Sequence, residues 1–440
     1  MKIIMVLLSG AYDRPSPLRE DRTPLDVAHT PALDHLAATG SAGMFDPIGP
    51  GVPVDPYMAL YLLLGGKGRD YPGKGYYLAL EQGIDTTVYD TFVECLFARV
   101  RSVCRNLHVE KVTPLLGDDI YSKMALSLDD IEAGGFHFRF KYLGRGRGVA
   151  YTRGGSRFVS FSLPPSDGAP VNRVYSTLSE RYGSIDPRAR EKSENFANAL
   201  NLFMARSHEI LDGMNLTNLR RAAGITYANF LLTASSGSKE RGSALHPVLK
   251  PVFISQDPIA AHIFSDFGFK CAGEWGSEGE GVLAGIEGFI KDGGESKMAV
   301  IYSSRSREIS EVGQFDAKKS CLEKLDKLVG EVSRIAGRNA VMVISSDSYS
   351  LVSREGRYCG DAIPFVLHGP GVPGNGQGHF READLMRGGQ GRITASSFMD
   401  ILLSYTNQIG CYFLGDVENM LYSPGSDQYI YRPSDFPKTI

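Results

Sequence analysis

The chain has 440 residues, 42% of them hydrophobic and 22% charged, and its 47 Lys and Arg against 50 Asp and Glu give a net charge of -3. That balance excludes a strongly basic nucleic-acid binder and an acidic solvating tail, and no apolar run approaches the roughly 18 residues of a membrane span. The length predicts roughly two to three domains, or one long α/β domain carrying an insertion. The opening MKIIMVLL is too short for the core of a signal peptide and has no small-residue cleavage site. Cys95, Cys104, Cys271, Cys321, Cys359 and Cys411 form no CxxC pair, which is the usage of a reducing compartment. The expectation is a cytoplasmic protein.

Taken in chain order, Lys2 to Leu8 is a continuous apolar run ending at Ser9-Gly10. It reads as a strand buried on both faces of a sheet. Thr23-Pro24 and Thr30-Pro31 each place a proline behind a threonine cap and predict helix starts. Met58 to Leu64 is apolar and precedes a glycine-rich turn. From about Tyr76 the texture changes. Thr91 to Val100 and His137 to Thr152 alternate polar and apolar residues, as antiparallel strands with one wet face do. This predicts an inserted α+β domain over 76–190, with 184–193 as a polar linker and 1–75 plus 191–440 as a discontinuous core. Helix returns at Glu194 to Leu211. Buried strands are predicted at Tyr227 to Leu232, Met298 to Tyr302, Val341 to Ser345 and Ile363 to His368. Helices at Lys318 to Ile335 and Ser396 to Thr406 lie among them, the alternation of a parallel α/β sheet.

Two motifs fail on their own chemistry. Gly68 to Lys74 spells GxxxxGK, but Gly75 follows where a phosphate loop needs Ser or Thr for magnesium, and Pro72 removes an amide. Gly279 to Gly285 is one residue off a dinucleotide fingerprint and follows no clear strand. There is no GxSxG elbow, and the nine His show no HxxxH spacing. His208 reads as a solvated or core-edge residue of a helix rather than a catalytic one.

Several stretches, in order, resemble one family: MKIIMVLLSGAYDRP at the start, TPLDVAHTPALDHLAATG at Thr23 to Gly40, MFDPIGPGV at Met44 to Val52, GKGYYLALEQGI at Gly73 to Ile84, FMARSHEIL at Phe203 to Leu211, EKLDKLVG at Glu323 to Gly330 and GDAIPFVLHGPGV at Gly360 to Val372. Together they are similar to the archaeal-type 2,3-bisphosphoglycerate-independent phosphoglycerate mutases, members of the alkaline-phosphatase superfamily. The resemblance implies an α/β fold, an alkaline-phosphatase-like core with a mostly parallel sheet, interrupted by a smaller α+β domain. It implies interconversion of 2- and 3-phosphoglycerate in glycolysis. It also implies a serine nucleophile and two divalent metals, Mn or Mg, that stabilise the attacking and leaving oxygens of an in-line transfer.

Matched residue by residue, most of that machinery is replaced. Ser9 stands where the first strand ends in a metal-binding Asp. Pro56 occupies the nucleophile position, with Tyr57 beside it; proline has neither hydroxyl nor amide hydrogen. Arg307 and Glu311 stand for an Asp and a His of the second-metal segment. Asp347-Ser348 stands for an Asp-His pair, and Tyr358 for the last His. Only Asp347 keeps a ligand's identity. Among substrate-clamping positions, Glu94 and Ala234 replace arginines, a lysine falls near Asp257, and Arg147 matches an arginine.

The expectation is a mutase homologue that is catalytically inactive. The alternative is a non-catalytic binding or scaffolding subunit pairing with an active relative. No cofactor is expected. Asp347 and Glu311 are vestigial metal candidates, and Asp55, Asp13 and Asp361 are further carboxylates that an oxygen-only cation site would draw on. Arg147 and Arg307 are candidates for a phosphorylated metabolite such as phosphoglycerate. Neither nucleic acid nor membrane is an expected partner, while a homo-oligomer, or a hetero-oligomer with an intact relative, is. Ser9, Pro56, Arg307, Glu311, Asp347, Ser348 and Tyr358 are predicted to converge at the carboxyl ends of the core strands, with Arg307 pairing Asp347 or Glu311, or else gripping a phosphate.

Overall fold

In the computed structural model the apolar run at the start forms β1 (Lys2–Leu8), every residue of it buried. The structure describes residues 1–114, 116–178, 186–214, 227–239, 249–276, 279–354, 358–374 and 378–408. These divide between two compact units, Met1–Asp70 with Gly242–Ile440, and Tyr71–Arg241.

In the first unit, β1 is followed by α1 (Pro24–Val27) and α2 (Pro31–Thr39). Thr23 and Asp26 form a reciprocal capping box that starts α1. Then come β2 (Ser41–Asp46) and α3 (Pro56–Leu63), both largely buried.

The second unit holds α4 (Lys74–Glu81), β3 (Thr91–Val103), β4 (Asn106–Val112), α5 (Asp118–Leu126), β5 (Ile131–Ala133), β6 (Phe136–Gly144), β7 (Arg147–Thr152), α6 (Pro187–Gly213) and β8 (Phe230–Gly237). Its sheet is antiparallel, in the order β4-β3-β7-β6-β5, with β8 also paired to β3. The predicted α+β character of the insertion holds, but its far boundary moves. The predicted linker largely belongs to α6, which Asp186 caps by accepting from the Arg188 amide. Phe196, Phe203 and Leu200 of α6 pack into the same core as Phe138 and Phe97. The strand predicted at Tyr227 to Leu232 for the parallel sheet is β8, antiparallel to β3. A short apolar run fits either kind of sheet, so its composition did not assign it.

The first unit resumes with β9 (Val252–Ser255), α7 (Pro258–Asp266), β10 (Lys270–Cys271), α8 (Glu280–Lys291), β11 (Met298–Ser303), α9 (Arg305–Glu311) and α10 (Phe315–Ala336). It continues with β12 (Ala340–Ser345), β13 (Ile363–His368), α11 (Glu382–Leu385), β14 (Arg392–Thr394) and α12 (Ala395–Tyr405). The sheet order is β10-β9-β11-β1-β12-β13-β2-β14. Every pairing is parallel except those of β13, which runs against both neighbours. Four adjacent parallel strands, β9, β11, β1 and β12, therefore deliver their carboxyl ends side by side. That edge is where an open α/β sheet builds its functional residues. No helix among the described residues is long and apolar enough to cross a membrane.

Candidate functional site

The segments leaving β1, β11 and β12 interlock. The Ser9 amide donates to the Ser303 carbonyl at 2.8 Å, and the Arg307 amide donates to the Ser9 carbonyl at 3.0 Å. Gly10 makes this approach feasible. It has φ +70°, and a Cβ there would lie 2.8 Å from both the Cα of Arg307 and the Cβ of Ser350. Any other residue would push α9 off β1. Ser346 fastens the third segment, its Oγ accepting from the Gly10 amide at 3.0 Å and donating to the Ser348 carbonyl at 2.8 Å.

Arg307 is the centre of the site and is only 4% exposed. Its Nη2 donates to Asp257 Oδ2 at 2.7 Å and to the Tyr57 hydroxyl at 2.8 Å. The guanidinium lies 4.5 Å from the centroid of the Tyr57 ring, and the Tyr57 hydroxyl donates in turn to Asp257 Oδ2 at 3.0 Å. The other oxygen of Asp257 caps α7, accepting from the Ile259 and Ala260 amides at 3.0 Å. Asp257 is thus fixed by its own helix before it meets the arginine. Burial opposes the arginine's charge, but the surrounding phenols and Asp257 outweigh it, so its pKa lies above the ordinary value. Burial likewise drives the Tyr57 phenol well above its usual range, with Arg307 pulling the other way.

Asp347, 1% exposed, accepts from the Tyr302 hydroxyl at 2.7 Å and the Ser348 hydroxyl at 2.9 Å. Burial raises its pKa; Arg307 and these hydroxyls oppose the rise. The Ser9 hydroxyl is near enough to Asp347 to favour its charged form, yet has no well-aligned hydrogen-bond partner among the described residues. Tyr358 is close enough to act electrostatically on Arg307.

Ser9, Arg307, Asp347, Ser348 and Tyr358 are therefore brought together, with Pro56 at the first turn of α3 beside Tyr57. Two expectations are corrected. Arg307 pairs with Asp257, not with Asp347 or Glu311. Glu311, at the last turn of α9, enters no hydrogen bond or ion pair among the described residues. One helical turn separates it from Arg307, and the capping demand of α7 places Asp257 ahead of it. The remaining carboxylates are engaged. Asp55 caps α3 through the Tyr57 amide at 3.0 Å. Asp13 pairs with the fully buried Lys318 at 3.1 Å. Asp361 takes both Nε and Nη2 of Arg14, at 2.6 and 2.9 Å.

In the second unit, Arg147 lies opposite Leu96 and Gly148 opposite Cys95 on the β3–β7 pair. By register Arg147 shares a face with Glu94, whose carboxylate pairs with Lys74 at 2.8 Å. Ala234 sits where the β3–β8 register shifts beside Glu94. Glu94, Ala234 and Arg147 thus adjoin one another within the second unit, whereas Asp257 belongs to the first. His208 Nδ1 donates to the Asn229 carbonyl, 2.7 Å away, and the ring packs on Phe230, as a core-edge residue does.

Sequence reading placed Asp257 only near a substrate-clamping position, not as the partner of Arg307, and missed Tyr302. Asp257-Pro258 is a helix-start signal, and nothing in its spacing indicates a buried arginine.

The fold and the strand-end site place the chain among α/β proteins with a mostly parallel core sheet and an inserted antiparallel domain. The family model of 2,3-bisphosphoglycerate-independent phosphoglycerate mutase matches residues 37–216. Mutases of that description from Methanoculleus marisnigri and Pyrococcus abyssi are 27% and 25% identical, each over 92% of this chain and 98% of the relative. Among solved structures, the PH0037 protein of Pyrococcus horikoshii shares the fold with a TM-score of 0.64 at 19% identity, over 94% of this chain and 99% of that one. The cofactor-independent phosphoglycerate mutase of Thermoplasma acidophilum does so with a TM-score of 0.51 at 22% identity, over 92% and 99%. The chain is thus similar, over nearly its whole length, to 2,3-bisphosphoglycerate-independent phosphoglycerate mutases.

Proposed function

We propose that this chain is a divergent member of the 2,3-bisphosphoglycerate-independent phosphoglycerate mutase family that no longer transfers phosphoryl groups, and that its strand-end site has been rebuilt as a closed structural core. The observation that carries this reading is the Arg307–Asp257 pair stacked on Tyr57. A phosphoryl-transfer site needs an exposed nucleophile and open coordination positions. Here Pro56 stands at the nucleophile position, and the nearby hydroxyls are either spent within the protein or buried. Ser348 and Tyr302 donate to Asp347, Tyr57 donates to Asp257, and Ser9 is fully buried.

The residues present do not fit two divalent ions. Asp257 already holds a guanidinium at 2.7 Å, and Asp347 feels the same charge. Among the described residues no three His, Cys, Asp or Glu are grouped to hold a metal. A tethered cation beside two buried carboxylates supplies part of the countercharge that metals would bring, which avoids the several kcal/mol of an unpaired buried charge. The replacements are mutually compensating, as expected of a retained fold with a different use. That use is a non-catalytic role in a cytoplasmic protein.

An enolase-coupled assay with manganese or magnesium tests this. Turnover should not exceed background. Activity within roughly a hundredfold of an intact relative, about 2.7 kcal/mol in barrier, would defeat the proposal.

A further inference from the structure

Away from the strand-end site, the second unit gathers its exposed aromatic rings in one place. Among the described residues the large aromatics most open to solvent are Phe158, Phe161 and Tyr175, 36%, 53% and 65% exposed. All three lie on two short segments that run antiparallel. Val159 bridges Ser176, the Ser160 amide donates to the Tyr175 carbonyl at 2.8 Å, and the Thr177 amide donates to the Phe158 carbonyl at 2.9 Å. Val159 and Val174 turn into the core, so the alternation of an extended chain turns Phe158 and Tyr175 outward together.

Helix α6 holds this ribbon in place. The Asn201 side chain accepts from the Val174 amide at 3.0 Å and donates to the Val174 carbonyl at 2.8 Å. The Ser193 hydroxyl donates to the Phe158 carbonyl. The rings thus sit on a backbone fixed at both segments, which lowers the entropic cost of binding. Between ribbon and helix lies a cavity of about 330 Å³, with Arg173, Tyr175 and Ser176 from the ribbon and Glu194, Ala197 and Asn198 from α6. Leu202, 51% exposed, continues the helix side of this face one turn beyond Asn198. Arg173 is exposed and enters no hydrogen bond or ion pair among the described residues. Arg190 of the same helix holds Oε1 of Glu194 at 2.8 Å, which leaves Oε2 for a second cation.

We propose that this face is a two-fold dimer interface and that its occupant is a second copy of this chain. Single exposed apolar side chains are ordinary, whereas exposed rings gathered beside a cavity mark an association site. The charges decide the partner. The cavity is lined by one cation, Arg173, and one anion, Glu194, so its walls carry no net charge that would select an acidic or a basic partner. The face complements itself instead. A two-fold axis through it sets Arg173 of each copy against Glu194 of the other, and Tyr175 of each against the other's cavity. Phe158, Phe161 and Tyr175 are then the anchors, and the two charges fix the register.

Sedimentation equilibrium of the full chain tests the interface. The wild type should sediment at twice the monomer mass. Tyr175→Asp and Phe161→Asp should each raise the dimer dissociation constant about thirtyfold or more, the loss expected of an anchor residue. Arg173→Glu and Glu194→Arg should each weaken the dimer, and the two together should restore it, because the swap rebuilds both pairs across the axis. A role in folding alone would not produce that rescue. A wild type that stays monomeric at about 100 μM, a dimer indifferent to Tyr175→Asp, or a double swap that leaves the loss uncorrected overturns the proposal. Should an aspartate variant fail to fold, the charge swap between the exposed Arg173 and Glu194 decides.

Discussion

Arg307 and Asp257, fifty residues apart in sequence, meet at 2.7 Å with side chains 5% and 4% exposed. The pair joins α9 to the cap of α7 across the carboxyl ends of β11 and β9. Its stability contribution is asymmetric: the intact pair gives little net gain over an apolar core, whereas a half-pair is costly.

Arg307→Met and Asp257→Asn should each destabilise the protein by about 3–5 kcal/mol in urea unfolding, because each leaves a buried group without its partner. The double variant should cost clearly less than the sum. Additive losses would mean that the two residues act separately.

Tyr57 offers a finer test. Tyr57→Phe keeps the ring beneath the guanidinium and removes the hydroxyl that donates to Asp257 and accepts from Arg307. A loss of about 1–3 kcal/mol is expected for buried partners left unsatisfied. Tyr57→Leu should lose the ring contact as well and unfold at lower urea.

In the second unit, Asp129 accepts both arms of Arg139 at 2.7 Å and the Phe140 amide at 3.0 Å. Arg139 holds its carboxyl below the ordinary 3.8, with burial opposing. The stabilisation is therefore present above the unfolded-state value and is lost as pH falls through the lower folded value. NMR titration should find Asp129 below the usual carboxylate range, and Arg139→Gln should return it there.

The far boundary of the insertion can be tested through Phe203 of α6, whose ring centroid lies 4.6 Å from that of Phe138. Phe203→Ala should cost about 3–5 kcal/mol, and its hydrogen-exchange loss should fall on β3, β6 and β8. Loss centred on β1 and β11 instead would place α6 with the other unit.

Much of the fold was legible because periodicity and caps are local. The buried run Lys2–Leu8, the Thr-Pro helix starts and the alternating strands of the insertion all appeared where predicted. The placement of Phe230–Gly237 was not, since an apolar run does not name its sheet. The gathering of Ser9, Arg307 and Asp347 followed from the family resemblance. The partner of Arg307 did not, because Asp257 is fixed by a helix cap and reaches the arginine only through the side-by-side order of β9 and β11.

Elemental analysis tests the closed core most directly. Full-length protein is equilibrated with manganese, passed into metal-free buffer and measured for bound ions. A core locked by Arg307 and Asp257 should retain less than about one equivalent per chain, and chelator should leave its unfolding midpoint unchanged. About two equivalents of tightly held manganese, with chelator lowering the midpoint, would contradict the Arg307–Asp257 pair as the occupant of this site.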